Sequence, residues 1–162
     1  MFDEGRFKVA MRRLASGVSI ITTVDADGEW RGFLATAVSS VSANPPTILI
    51  CVNQSGSSHD ALLNSRRFCV NFLGARSQDV VESFKDSEKR SGRFQMGTWK
   101  PIKTGAPALV GSLASLDCRV TSNITIHTHT IVFGEVEEIE LGAANPESLV
   151  YLNGRYQSMH LS

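Results

Sequence analysis

The last third of the chain carries the pattern that most constrains the fold. In the segment LASLDCRVT, apolar residues alternate with polar ones: Ala114, Leu116, Cys118 and Val120 against Ser115, Asp117, Arg119 and Thr121. Because successive side chains of a strand point to opposite faces, this alternation predicts a half-buried strand. The β-rich runs NITIHTHTIVFGEVEEIEL and LVYLNGRY follow it. The chain must therefore bury extended strands against one another.

Earlier segments continue this pattern. Four runs rich in β-branched or alternating apolar residues are predicted strands: VSIITTV (18–24), WRGFLATAVSSVS (30–42), TILICVN (47–53) and RFCVNFL (67–73). Three segments are predicted to be helical: the Phe7, Met11, Leu14 stripe ending at Gly17, then HDALLNS (59–65) and SQDVVESF (77–84). The polar stretch 85–105 is predicted to be a long functional loop.

About six or seven strands with two or three short helices favour a closed or nearly closed antiparallel barrel. The absence of regularly alternating strands and long helices argues against a doubly wound parallel sheet. The length of 162 residues suits a single domain, 1–162, with enough core to need no metal or disulfide.

Net charge limits the classes of binding partner that the sequence predicts, and the cysteines indicate the redox environment. Sixteen basic residues balance sixteen acidic ones, which argues against a nucleic-acid binder and gives no reason to expect a membrane surface. The chain shows no long apolar run and no signal-peptide pattern at its N-terminus. Cys51, Cys69 and Cys118 are odd in number and sit in apolar runs. We therefore expect buried thiols in a reducing cytoplasm.

The familiar catalytic motifs are missing from the sequence. It contains no GxGxxG, no GxxxxGK[ST], no CxxC, no HExxH and no GxSxG. His127 and His129 are two apart, so in a strand they would share a face and could bind one metal. One histidine facing a ligand, or simple surface histidines, are the alternatives. No metal is expected.

Two segments rich in hydroxyl residues stand out. The first, from Thr36 to Ser42, precedes Asn44-Pro45-Pro46. Its small side chains let a flat heterocycle approach the backbone, whose polar groups could read the edge of the ring. A strand end with solvated serines explains the same composition.

The second segment is Asn53-Gln54-Ser55-Gly56-Ser57-Ser58-His59, between a strand and a short helix. Hydroxyls and free N–H groups at such a position could hold a phosphate. Ser58 as an ordinary helix N-cap is the alternative. Asp60 would repel a phosphate unless its side chain points away.

Taken together, these residues resemble the short-chain flavin reductase family, the reductase component of two-component flavin monooxygenases such as 4-hydroxyphenylacetate 3-monooxygenase. The resemblance covers nearly the whole chain. It rests on the blocks MRRLASGVSIITT, GFLATAVSSVSANPPTILICVN, SSHDALLNSRRFCVNFL, HTIVFGEVEEI and LVYLNGRY, with Gly97-Thr98-Trp99, Gly105-Ala106-Pro107 and Leu116-Asp117-Cys118 between them.

The resemblance implies an FMN-binding split barrel with antiparallel Greek-key strands. It implies a homodimer that binds FMN or FAD between subunits and transfers a hydride from NADH or NADPH to the flavin. A flavin-dependent monooxygenase would be the partner that receives the reduced flavin. The flavin carries this chemistry itself, so the protein need only bind, orient and tune it.

The resemblance also assigns residues. Those implied to bind the flavin ring and ribityl chain are Thr36, Ala37, Val38, Ser39, Ser40 and Ser42. Those implied on the phosphate side are Asn53, Ser55, Ser57, Ser58 and His59. His129 is the implied catalytic residue, near the nicotinamide, and Tyr156 matches the family's closing Gly-x-Tyr. Where the family often has Gly-Asp-His, this chain has His127-Thr128-His129, which leaves the choice of NADH or NADPH open.

Three alternatives stay open at this point. A relative with tightly bound FMN could pass electrons to a corrinoid such as cob(II)yrinic acid a,c-diamide. A split barrel could hold a flavin or haem without turnover. The third alternative is a metal-binding β-barrel.

Overall fold

A computed structural model describes residues 2–85, 90–143 and 147–160. Its helices are α1 (Glu4–Arg12), α2 (His59–Ser65) and α3 (Gln78–Lys85), with 3-10 turns at Ala75–Ser77 and Arg90–Gln95. Its strands are β1 (Ser16–Gly17), β2 (Ser19–Val24), β3 (Trp30–Ala35), β4 (Val38–Ala43), β5 (Pro46–Asn53), β6 (Arg67–Phe72), β7 (Trp99–Pro101), β8 (Pro107–Leu109), β9 (Ala114–Ile126), β10 (His129–Leu141), β11 (Ser148–Leu152) and β12 (Arg155–Met159). No helix in the described ranges is both long and apolar enough to span a membrane.

Seven strands form one sheet in the order β3-β2-β6-β9-β10-β5-β4, and every neighbouring pair is antiparallel. The order shows that β3 and β4, consecutive in the chain, lie at opposite edges. In a flat sheet six strand spacings would separate these edges by about 29 Å. The three peptide steps from Ala35 to Val38 span at most about 11 Å. The sheet therefore curls until its two edges meet, which makes a barrel that is split between β3 and β4.

The barrel interior is apolar. Side chains from five strands and α2 meet there: Ile21, Ile48, Ile50, Val52, Leu62, Phe68, Val70, Cys118, Val120 and Val132. The alternation of Ile48, Ile50 and Val52 on β5 predicts this face, and all three are buried. The ring of Phe68 fills the space left by Gly134 on β10, where a Cβ atom would lie 2.6 Å from Cε1 of Phe68.

A second apolar layer covers the outside of β2. All six residues of β2 are buried because Ile21 faces the barrel while Ile20 faces α3 and the loops beside it. Four aromatic rings extend this layer in edge-on or tilted contacts with centroids 5.0–5.8 Å apart: Trp30, Phe84, Phe94 and Trp99. The 90–95 turn is thereby packed onto the barrel wall.

The structure confirms the expected class, a mainly β antiparallel split barrel with short helices, and corrects several local predictions. The run 30–42, predicted as one strand, is two strands on opposite edges of the sheet. The first helix ends at Arg12, and Gly17 lies in β1. The Phe7, Met11, Leu14 stripe is exposed in this chain. The stretch 85–105 is not wholly irregular, because it contains the 90–95 turn and β7.

The half-buried strand predicted at 113–121 is buried on both faces over part of its length. Ser115 and Asp117 are fully enclosed because Thr104 covers Asp117, while Ser112 and Asn71 bond the Ser115 hydroxyl. Thr104 donates its backbone N–H and its hydroxyl to the Asp117 carboxylate, each at 2.6 Å. Burial nevertheless raises the pKa of Asp117. The polar residues Ser115 and Asp117 therefore mark buried hydrogen bonds on this strand and not a face exposed to solvent.

The cysteines largely match expectation. Cys69 and Cys118 are buried free thiols, whereas Cys51 is only half-buried. Burial is the main reason that the pKa of Cys69 and of Cys118 is raised well above the ordinary thiol value.

We predict that Gly134→Ala destabilises the fold by about 1–3 kcal/mol, because the added methyl group overpacks the barrel against Phe68 and Cys118. Urea unfolding followed by circular dichroism measures the change. Gly17→Ala is the matched control, since a Cβ atom there meets nothing within 4 Å. Equal stability of the two variants would contradict the packing assigned to Gly134.

Candidate functional site

Three cavities run along the C-terminal end of β3 and share lining residues. The edge groove, about 710 Å³, lies beside β4, and the loop cavity, about 250 Å³, lies under the β5–α2 loop. The tyrosine cavity, about 230 Å³, lies between them and contains Tyr151 and Tyr156. Leu34 lines both the loop cavity and the tyrosine cavity. Val18 and Thr36 line both the tyrosine cavity and the edge groove. The three cavities are therefore adjacent, and together they are called the cleft.

Most residues of the first hydroxyl-rich segment line the edge groove. The predicted residues that line it are Thr36, Val38, Ser39, Ser40 and Ser42. Its remaining wall includes apolar side chains of other strands: Ile48, Phe72, Leu116, Val136 and Ile139. The volume and this combination of an apolar wall with hydroxyl groups suit a flat heterocycle that has a polar edge.

The position of β4 at the edge of the sheet leaves part of its backbone available to a ligand. β4 is an edge strand paired only with β5, so its outer edge offers free backbone groups. Ala37, in contrast, lines none of the three cavities. Its carbonyl accepts from the N–H of Cys51 at 3.2 Å, which starts the pairing with β5. The structure thus gives Ala37 the role of joining the two edges.

The loop cavity holds four of the five residues predicted on the phosphate side, namely Asn53, Ser57, Ser58 and His59. Asn53 Oδ1 accepts from the N–H of Ser55 at 3.0 Å and from its hydroxyl at 2.9 Å. The N–H of Gly56 donates to the carbonyl of Asn53. The Ser55 hydroxyl is therefore used within the loop, and Ser55 lines none of the three cavities.

Ser58 occupies the N-cap position of α2, but its side chain makes no capping bond. It donates instead to the carbonyl of Gly32 on β3, at 3.3 Å. Nη1 of Arg93 donates to the same carbonyl at 2.8 Å. Gly32 allows this convergence, because a Cβ atom would lie 2.9 Å from the carbonyl oxygen of Ile21 and 3.0 Å from the Phe84 ring.

Asp60 is turned away from the loop cavity. Its side chain is 89% exposed, and its carboxylate accepts from Nδ1 of His59 at 2.8 Å. The repulsion that Asp60 would exert on a phosphate is thereby reduced. Nε2 of His59 lies 2.9 Å from Oγ1 of Thr130 on β10, so both ring nitrogens of His59 have protein partners.

Arg90 and Arg93 complete the loop cavity and were missed by the sequence analysis. They lie in a polar stretch with no periodicity, and the packing of Phe94 and the Arg93 bond to Gly32 hold that stretch against β3. Both arginines line the cavity together with Ser57, Ser58 and Asn53, and no carboxylate lines it in the described part of the chain. Such a set of donors is suited to a phosphate.

Tyr156 faces the tyrosine cavity beside Tyr151, with ring centroids 5.3 Å apart. The ammonium group of Lys85 lies 4.5 Å from the Tyr156 ring centroid. Partial burial raises the pKa of the Tyr156 phenol, and the positive charge of Lys85 works against that shift.

His129 begins β10 at the barrel mouth, opposite Asn53 in the β5–β10 register. Its side chain is exposed, and Nδ1 lies 2.9 Å from Oγ1 of Thr128. His127 sits in the two-residue turn between β9 and β10 with φ of +51°. The expectation that His127 and His129 share a strand face is therefore wrong, because the chain reverses between them. Within 2–85, 90–143 and 147–160, no three His, Cys, Asp or Glu residues form a metal-binding group.

Comparisons with known proteins identify the relatives of this chain. The family profile described as flavin reductase like domain matches residues 11–160. The FMN reductase (NADH) RutF of Pseudomonas syringae pv. syringae (strain B728a) is 40% identical over 153 residues, which cover 94% of this chain and 85% of that protein.

Two solved structures show the same fold. Nitrilotriacetate monooxygenase component B from Mycobacterium thermoresistibile has a TM-score of 0.91 and 32% identity, covering 98% of this chain and 87% of that one. The NADH:FAD oxidoreductase SgcE6 of Streptomyces globisporus C-1027, in complex with NAD and FAD fragments, has a TM-score of 0.87 and 28% identity, covering 96% and 92%.

We predict that Lys85→Met raises the pKa of Tyr156 further, because it removes the cation that favours the phenolate. The chain has two tyrosines, so the Tyr151→Phe background isolates Tyr156 in a titration of absorbance at 295 nm. Circular dichroism at each pH confirms that the fold persists. Lys103→Met, which removes a lysine paired with Glu137 instead, is the control. An unchanged or lower midpoint in the Lys85 variant would rule out this contact.

Proposed function

This chain belongs to the flavin reductase like family, and we propose that it transfers a hydride from NADH to FMN and delivers the reduced flavin to a partner monooxygenase. The observation that carries this proposal is the row of adjacent cavities, with an apolar, hydroxyl-rimmed groove at one end and an arginine-lined cavity at the other. A flavin mononucleotide has the matching parts: a flat ring with a polar edge, a hydroxylated chain and a phosphate.

The residues present fit a flavin. The edge groove, whose volume of about 710 Å³ lies in the usual range for ligand sites, takes the ring. Thr36, Ser39 and Ser40 offer hydroxyl groups to its polar edge. Arg90 and Ser57 offer donors to the phosphate in the loop cavity, while Arg93 lines the same cavity and donates to the Gly32 carbonyl. The bound flavin supplies the redox chemistry, accepting the hydride from the nicotinamide.

The protein's own part is to bind and orient. No acid–base pair faces the edge groove, whose described lining residues are apolar or carry hydroxyl groups. The thiols of Cys69 and Cys118 are buried with raised pKa values, so neither acts as a nucleophile. Rate acceleration then comes from holding the two reactants in contact, which is an effect of proximity and orientation. His129 orients the nicotinamide at the barrel mouth.

FMN and NADH are proposed because the relatives of about 40% identity are named for that pair. FAD and NADPH remain the competing substrates. Two guanidinium groups around one small cavity favour a terminal phosphate, which carries more charge than either phosphate of the FAD linkage. The delivery of reduced flavin to a monooxygenase is supported by the similarity to a component of such a system.

We further propose a homodimer of single-domain chains. No residue of α1 is buried, and its apolar side chains Phe7 and Met11 are half exposed. The tip of the β9–β10 hairpin exposes Ile124 and Ile126 on a segment that pairs only with β10. Light scattering of the purified chain should give twice the 17.6 kDa of one copy. A cytoplasmic location, testable by cell fractionation, would keep the free cysteines reduced.

The activity itself is tested by following NADH absorbance at 340 nm. We expect oxidation that depends on added FMN, and under anaerobic conditions bleaching of the flavin spectrum when NADH is added. FAD and NADPH are run in parallel to rank the substrates. A protein that neither binds FMN or FAD nor oxidises NADH or NADPH with them would overturn the proposal.

We predict that Arg90→Gln weakens FMN binding about 10- to 100-fold, because it removes a charge-assisted contact to the phosphate. Riboflavin, which has no phosphate, should bind both forms with equal affinity. Fluorescence titration of the flavin measures both constants. Arg76→Gln, at an exposed arginine in the 75–77 turn, is the control. Equal weakening of riboflavin would contradict a phosphate at Arg90.

A further inference from the structure

Two hydrogen bonds hold the turn between β9 and β10 to the β5–α2 loop, and a third contact joins α2 to the start of β10. Gln54 donates its backbone N–H to the carbonyl of Thr128 at 3.0 Å and its side-chain amide to the carbonyl of His127 at 2.6 Å. His59 forms the third contact, from Nε2 to Oγ1 of Thr130, at 2.9 Å. Two of the contacts fix the backbone of the turn. The third alone fixes a side chain on the strand that follows.

The direction of the His59 contact follows from its partners. A carboxylate only accepts, so Nδ1 of His59 carries the proton that is shared with Asp60. In the neutral ring Nε2 is then an acceptor, and the hydroxyl of Thr130 donates to it. Oγ1 of Thr130 in turn lies 3.3 Å from Oγ1 of Thr125. With a neutral His59 ring, the hydrogen bonds therefore run in one direction, from Thr125 through Thr130 and His59 to Asp60.

The orientation of His129 depends on this chain of contacts. Thr130 is fully buried and follows His129 directly, so the two side chains point to opposite faces of β10. Anchoring Thr130 inward therefore keeps the His129 side chain on the outer face of β10. The turn before it contains a non-glycine residue at φ +51°, a conformation that needs support from its surroundings.

We propose that His59 is a positioning residue, which acts through Thr130 to hold His129 and the start of β10 in place for the nicotinamide. This inference rests on the proposed function. His59 belongs to α2, whereas Thr130 and His129 belong to β10, so the contact joins two separate elements. The β5–α2 loop has its own anchors in Asn53 and Ser58 and stays in place without it.

Thr130→Val tests the contact because it removes the hydroxyl and keeps the shape. We expect kcat/KM for NADH to fall about tenfold, since small displacements at a reacting centre reduce the rate strongly. The FMN dissociation constant should stay within about twofold, because the loop cavity is unaltered. Thr130→Ser, which keeps the hydroxyl, should restore the wild-type values. Thr121→Val, on the neighbouring strand with its hydroxyl bonded to the Phe133 carbonyl, is the matched control.

A double-mutant cycle shows whether His59 and Thr130 act together. His59→Phe keeps an aromatic ring and loses both ring nitrogens. If Thr130 is the group through which His59 acts, the double variant should have the same kcat/KM for NADH as Thr130→Val alone. Multiplying effects would show that the residues act independently, and this outcome would overturn the proposal.

A measurement without any ligand gives a second readout. Amide exchange of Gln54, whose N–H donates to Thr128, should be about tenfold faster in Thr130→Val than in the wild type. The amide of Leu109, bonded to buried Asn71, reports global stability and should not change. Unchanged Gln54 exchange in Thr130→Val refutes the proposal. An inactive wild-type protein refutes the proposed function instead, whatever the exchange rates are.

Discussion

The two-residue connection between Ala35 and Val38 is the constraint on which the rest of the structure depends. It links the two edge strands of a seven-stranded sheet, so the sheet can form only as a curled wall. Curling encloses Phe68, Ile50 and their neighbours in a dry interior. The same connection leaves β3 and β4 unpaired with each other. The cleft follows from this split, because free strand edges and small side chains meet there over an apolar wall.

Close contact of side chains with the backbone at one glycine of β3 then brings the parts of the site together around the split. Gly32 lets α3 and the 90–95 turn lie against β3, and its carbonyl accepts from both Ser58 and Arg93. Donors that are far apart in the chain are thereby brought to one cavity. The outer aromatic layer holds the turn that carries Arg90 and Arg93. Aromatic packing on the outside of the barrel therefore places these two positively charged side chains beside the cleft.

Sequence periodicity predicted β5 well, because one face of that strand is buried. It failed where tertiary contacts decide the environment. Ser115 and Asp117 alternate correctly for a solvent face, yet Ser112 and Thr104, both outside the strand, contact and enclose them. The run 30–42 has no proline or turn signal at Thr36, so nothing local indicates that the strand changes edges there. Arg90 and Arg93 sit in a stretch whose position depends on distant aromatic partners.

The sequence by itself determined the strand content, the hydroxyl-rich segments and the likeness to flavin reductases, because alternation, small side chains and motif order are local properties. Only the tertiary structure decided that Thr36 and Ala37 join opposite edges of the barrel, and that His127 lies in a turn while His129 starts a strand. It alone brought two arginines to the serine-rich loop. These facts depend on contacts between residues tens of positions apart, and such contacts form only when the whole sheet closes.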